Sequence, residues 1–200
     1  MGVSDVTLLK RWASQRDAEA FAELVRRHSS MVYGACLRVL RNPVDAEDAA
    51  QDCFLNLVRL AQEHGAVPAS LGGWLHAVAV RRALDRRRSE VRRHTREERT
   101  VPAASASTEP ACDDTLEQVD AIIAELPDDL RHPLVSHFLE GRTHREIARE
   151  LGLPRRTVTS RIARAVEEVR VRLRGSGVNV SASMLASLLA AESAHAAPAS

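Results

Sequence analysis

Apolar residues recur at three- and four-residue intervals along most of this chain. Phe21, Leu24, Val25, Val32, Ala35, Cys36, Val39 and Leu40 line one face of a long helix that Asp17 can cap and Asn42-Pro43 breaks. The next helix takes Asp45 as its expected cap and Ala46, Ala49, Ala50, Cys53, Phe54, Leu57, Val58 and Ala61 as its apolar face. A Gly/Pro/Ala-rich stretch at 62–73 separates it from a third helix. That helix begins near Leu71, buries Leu71, Trp74, Leu75, Val78 and Ala79, and continues through Arg81, Arg82, Arg86, Arg87, Arg88, Arg92 and Arg93. The pattern dissolves at Thr100-Val-Pro-Ala-Ala-Ser-Ala-Ser-Thr-Glu-Pro-Ala, a small-residue, proline-containing linker. Its roughly 15 residues span at most about 50 Å when extended. Beyond it a helix runs to about Leu126, and Pro127 with Asp128 and Asp129 opens another, which Pro133 should bend.

The most informative pattern lies at 143–162. Thr143 and Glu146 have the spacing of a capping box, and Ile147, Ala148 and Leu151 then share one face. Gly152 can take the left-handed conformation that ends this helix, and Pro154 suits the first turn of the next. In that next helix Val158, Ile162, Ala165, Val166, Val169 and Leu173 form one apolar stripe. Arg155, Arg156, Thr159, Ser160 and Arg164 lie outside it or at its edge. Two short helices, a glycine turn and a basic second helix make a helix-turn-helix, whose second helix enters the DNA major groove by its N-terminal residues.

Composition supports an all-α chain of one or two domains: 200 residues, 44% hydrophobic, six aromatics, and Ala, Leu, Arg and Glu dominant. The net charge of +1 hides segregation. Residues 81–99 hold nine arginines against four acids and residues 131–174 eleven against five, while 43–52 and 113–129 are acidic. Local basic surfaces of this kind are the footprint of nucleic-acid binding. Cys36, Cys53 and Cys112 form neither a metal spacing nor an even disulfide set, and Cys36 and Cys53 fall on apolar faces, so free thiols are expected. No metal or cofactor is expected. The apolar run near 184–191, with Met184, Leu185, Leu188 and Leu189, is far too short to cross a bilayer, so a cytoplasmic protein is expected. The Ala/Ser-rich tail at 175–200 can serve control, pack as a short helix, or stay disordered. No Ser-His-Asp or Cys-His order and no phosphate-cradling glycine loop points to an enzyme.

Together the pieces resemble the sigma-70 family of bacterial RNA polymerase sigma factors, and within it the extracytoplasmic-function (ECF) group. The resemblance rests on Asp-Ala-Glu-Asp-Ala-Ala-Gln-Asp-Cys-Phe (45–54), Gly-Trp-Leu-His-Ala-Val-Ala (73–79) and Leu-Pro-Asp-Asp-Leu-Arg (126–131). It extends through Leu-Glu-Gly-Arg-Thr-His-Arg-Glu-Ile-Ala (139–148) and Arg-Thr-Val-Thr-Ser-Arg-Ile-Ala-Arg-Ala (156–165), and covers about residues 10–174. It implies two small helical domains, a region 2 bundle over 5–99 and a region 4 helix-turn-helix over 113–174, joined by a flexible linker at 100–112 and followed by the tail.

It also implies three surfaces. Asp45, Glu47, Asp48, Gln51 and Asp52, with Leu55 on the same helix, match the part that docks on core RNA polymerase. Residues 71–88, with the preceding loop, match the segment that recognises and melts the promoter −10 element, with base capture assigned to the 62–73 loop and the first turns after it and Trp74, His76, Arg81, Arg82, Asp85, Arg86 and Arg88 as candidate contacts. Residues 155–164 match the reader of the −35 element in duplex DNA. There Arg156, Thr159 and Ser160 are placed for base edges, with Thr157 beside them, and Arg155, Arg161 and Arg164 for phosphates. Many relatives carry asparagine at Arg81, glycine at Arg156 and lysine at Thr159, so their promoter sequence does not transfer. The implied partners are core polymerase, promoter DNA and, commonly in this group, an anti-sigma factor; a monomer is expected away from polymerase. The rival from another class is a stand-alone helix-turn-helix repressor or activator.

Overall fold

The computed structural model describes residues 3–63, 70–98 and 112–195. These residues form nine α-helices and no strand. The first half of the chain contributes α1 (Asp5–Gln15), α2 (Ala18–Leu40), α3 (Pro43–Glu63) and α4 (Leu71–Glu98). The second contributes α5 (Cys112–Glu125), α6 (Asp128–Phe138), α7 (His144–Leu151), α8 (Arg155–Gly175) and α9 (Ala182–His195). The linker expected at 100–112 lies almost wholly outside the described residues, as does 64–69 of the 62–73 loop. None of the described helices is long and apolar enough to cross a membrane.

Local chemistry sets the boundaries. Asp17 caps α2 by accepting the Ala20 amide at 3.1 Å, and Arg41 ends it in the left-handed conformation. The helix after it starts earlier than the sequence suggests. Asn42, not Asp45, accepts the amides of Val44 and Asp45, at 3.0 and 3.4 Å, and Pro43 occupies the first turn. The helix α1 was not anticipated; Ser4 caps it through the Thr7 amide and it buries Leu8 and Leu9. The helix α6 continues through Pro133, which is buried within it. The tail forms α9, which packs on α2, α6 and α8 and buries Leu185 and Leu189.

One apolar core runs through both halves. Leu24, Val32, Leu57 and Leu75 from the first are continuous with Val119, Ile123, Leu134, Val169 and Leu173 from the second. Charged groups are sealed into the same seam. Asp120 of α5 is 1% exposed and accepts from Arg38 Nε of α2 at 2.5 Å and from His76 Nε2 of α4 at 2.9 Å. His28 of α2 lies between Asp5 of α1 and Glu140 beyond α6, with Nε2 and Nδ1 at 2.8 and 2.9 Å from their carboxylates. Two carboxylate neighbours require both ring nitrogens to carry protons. Burial alone would lower the pKa of this imidazole, but the two carboxylates outweigh burial and raise it to about 9. The glycines at the start of α4 permit this closeness: a Cβ on Gly73 would sit 3.2 Å from the His132 backbone, and one on Gly72 would collide with the Glu140 carboxylate.

Candidate nucleic-acid interface

The helix-turn-helix is built from its ends inward. Thr143 and Glu146 form the reciprocal capping box, Thr143 N donating to the Glu146 carboxylate at 2.8 Å and Glu146 N to Thr143 Oγ1 at 3.3 Å. Gly152 closes α7 at φ 63°, and Pro154 occupies the N-cap position of α8, just before its first turn, without a side-chain capping bond. Ile147 and Ala148 of α7 pack on Val158 and Ile162 of α8, with Phe138, Leu151, Leu153 and Val166 around them. This small core turns Arg155, Arg156, Thr159, Ser160 and Ala163 outward around one shallow concavity. Thr157 and Arg161 are half-buried beside it and Arg164 is exposed. Among the described residues no carboxylate pairs with Arg155, Arg156, Arg161 or Arg164, whereas Arg26, Arg27, Arg86, Arg87, Arg142, Arg170 and Arg172 all sit in ion pairs. Unneutralised arginines clustered in the first turns of one helix make a surface suited to a polyanion.

The arginine-rich α4 is divided between two environments. Arg81, Arg82, Asp85 and Arg88 are exposed. Asp85 and Arg88 stand 3.7 Å apart, and Arg82 donates to Asn56 at 3.1 Å. Arg86 instead reaches back to α3, where it pairs with Asp45 at 2.8 Å and Asp48 at 3.1 Å. Trp74 is half-buried against the core, in keeping with its apolar spacing. His76 departs most from a DNA-contacting role. It is fully buried, bonded to Asp120, and in this arrangement reaches no solvent, because α5 lies over that face of α4. The helix α5 covers the basic side of the first half with acids: Glu117 pairs with Arg87 and Asp114 with Arg41.

On α3, Glu47, Asp48, Gln51, Asp52 and Leu55 are exposed and Asp45 is half-buried. Leu55 is 51% exposed, and Val44, which sequence reasoning passed over, is 68% exposed. Val44, Asp48, Gln51 and Leu55 fall at i, i+4, i+7 and i+11, so they form one continuous stripe with an apolar residue at each end. That spacing was the available signal for Val44. Cys36 and Cys53 are buried free thiols, and the interaction with the Cys53 thiol, with burial added to it, pushes the Cys36 thiol up. Among the described residues no cluster of His, Cys, Asp or Glu is arranged to hold a metal ion.

Residues 24–93 match the family described as Sigma-70 region 2, and residues 116–169 match Sigma-70, region 4. The chain belongs to the sigma-70 family. It is similar to the ECF RNA polymerase sigma factor SigK of Mycolicibacterium vanbaalenii, at 32% identity over 173 residues, covering 84% of this chain and 88% of the relative. It is 32% identical over 176 residues to the ECF RNA polymerase sigma factor SigK of Mycobacterium bovis, covering 84% and 92% of the two chains. Among solved structures, CnrH in complex with the cytosolic domain of CnrY covers 86% of this chain and 97% of its own, at 21% identity and a TM-score of 0.39. The Bartonella quintana sigma factor RpoE in complex with the anti-sigma factor NepR covers 77% and 96%, at 19% identity and a TM-score of 0.34. As an ECF sigma factor the chain directs transcription initiation by RNA polymerase, which sets aside the stand-alone repressor.

Proposed function

We propose that this sigma factor divides its work among three surfaces. The α3 stripe of Val44, Asp48, Gln51, Asp52 and Leu55 docks on core polymerase, with Asp45 and Glu47 at its edge. The outward residues Arg81, Arg82, Asp85 and Arg88 of α4, joined by Trp74, His76 and Arg86 once uncovered, engage the −10 element. The N-terminal turns of α8 read the −35 element. The observation that carries this division is that Arg155, Arg156, Arg161 and Arg164 stand together at the start of α8 with no carboxylate partner among the described residues, whereas Arg170 and Arg172 farther along the same helix are ion-paired. Region 2 occupies 5–99 and region 4 occupies 113–174, and the two part at the α4–α5 seam when α4 meets DNA, because His76 is otherwise sealed against Asp120. The protein acts by binding, with no chemistry of its own, and works beside cytoplasmic polymerase. Its regulation by an anti-sigma factor is part of the same reading.

The test separates base from phosphate contacts. Arg156→Ala should lose about 1–3 kcal/mol of discrimination at one −35 position. Arg164→Ala should weaken binding uniformly and reduce the salt slope by about one unit. Identical effects of both variants across a set of −35 substitutions would refute the assignment.

A further inference from the structure

The recognition helix does not present all of its polar groups to DNA. Thr159 is exposed on the −35 face, yet its hydroxyl is already engaged twice. Oγ1 donates its single hydrogen to the Arg155 carbonyl at 3.1 Å, one turn back along α8. The same oxygen stands 3.0 Å from Nδ1 of His144, the first residue of α7. A threonine hydroxyl has only one hydrogen, so both bonds form together only if His144 carries its proton on Nδ1 and donates. The imidazole is itself held in place. His137 meets it edge-on with ring centroids 4.5 Å apart, Phe138 packs on His137 at 4.7 Å, and His137 Nδ1 donates to the Arg142 carbonyl at 2.9 Å. Burial, together with the neighbouring His137 and Arg155, holds the His144 pKa below its ordinary value, which favours the neutral ring.

Bonding back to a carbonyl one turn away leaves a helical threonine two χ1 rotamers, and the second bond, from His144, selects one of them and with it the direction of the methyl. With the hydroxyl bonded inside the protein, Thr159 has that methyl left for a base in the groove. The group in the major groove that complements it is the C5-methyl of thymine. We propose that His144 is a specificity-determining positioning residue: by fixing the Thr159 hydroxyl from the neighbouring helix, it makes recognition at one −35 position a methyl-to-methyl contact with thymine. This rests on the assignment of α8 to the −35 element.

Holoenzyme reconstituted from core polymerase and the full chain would first transcribe a template pool randomised across the −35 region. The preferred sequences would then be remade with deoxyuridine replacing thymine one base at a time. The expected wild-type result is a loss of about fourfold at one position, the worth of one apolar methyl. Thr159→Val should retain that loss and Thr159→Ser should abolish it. His144→Phe keeps an aromatic ring but no donor, and should also abolish it, whereas His144→Asn, which restores a donor near the Nδ1 position, should recover it. The proposal is overturned if no deoxyuridine effect depends on Thr159, or if His144→Phe keeps the wild-type pattern. A transcript yield indifferent to every −35 base would instead overturn the assignment of α8, and this inference with it.

Discussion

Replacing Asp120 by alanine removes a carboxylate that joins α5 to both α2 and α4. Arg38 and His76 would keep their buried positions and lose their shared partner, the His76 side chain being 0% and the Arg38 side chain 12% exposed. Breaking a buried pair by deleting one member costs about 3–5 kcal/mol, and here the deletion takes a hydrogen-bonded carboxylate from the sealed His76 and from the largely buried Arg38 at once. Asp120 is itself held well below the usual carboxylate range: burial opposes ionisation, but Arg38 and His76 outweigh it, so the charged form is the one that is lost. Both partners belong to the first half of the chain and Asp120 to the second, so the cost falls on docking between halves rather than on either half. A loss of 3 kcal/mol shifts the closed–open equilibrium by more than about a hundredfold. X-ray scattering is the direct assay. A compact chain of this length has a radius of gyration of about 17 Å. Asp120→Ala should raise it clearly above the wild-type value, with faster amide exchange over 71–80. An unchanged radius together with an unchanged denaturation midpoint would show that the seam does not depend on this charge cluster.

Three further outcomes follow from the same geometry. His28 is raised from 6.5 to about 9 in the fold, so its stabilisation is complete below pH 6.5 and is lost as pH rises through 9, an effect on the order of 3 kcal/mol; urea midpoints at pH 6 and pH 9.5 should differ in wild type and hardly at all in His28→Gln. Asp48→Arg with Asp52→Arg reverses the charge of the α3 stripe and should abolish co-purification with core polymerase; the exposed Arg86 pair that it breaks is worth at most about 1 kcal/mol, so thermal melting should barely move. Thr143→Ala removes the capping box and should cost about 0.5–2 kcal/mol, read as lower helix stability and weaker −35 binding together.

The elements that were legible in the sequence are those whose signals are local. The Asp17 cap, the capping box, Gly152 and the Val158–Leu173 stripe each lie within a turn or two of what they specify, and the structure places them as expected. The misplaced start of α3 is a local contest that Asn42 wins over Asp45 because Pro43 suits the first turn. The helix α1 was missed although its signal is local too: Ser4 precedes it, and Leu8, Leu9, Trp12 and Ala13 share one face. The seam was hidden for a different reason: Arg38 meets Asp120 across 82 residues and His28 meets Glu140 across 112. No periodicity reports such pairings, so His76 looked like a surface histidine. One clue was present. Two adjacent glycines near a helix start cost about 1 kcal/mol each against alanine, and Gly72-Gly73 is tolerable there because α4 approaches α6 and Glu140 so closely. The candidate surfaces on α3 and α8 were legible because exposure there follows helical periodicity alone.

Run-off transcription with core polymerase on a randomised promoter library tests the account at its centre. The predicted result is transcripts only when the chain is present, from templates sharing an upstream and a downstream element at fixed spacing, with the upstream preference altered by Arg156→Ala. Transcription no greater than that of core polymerase alone, or templates sharing no upstream element, would contradict it.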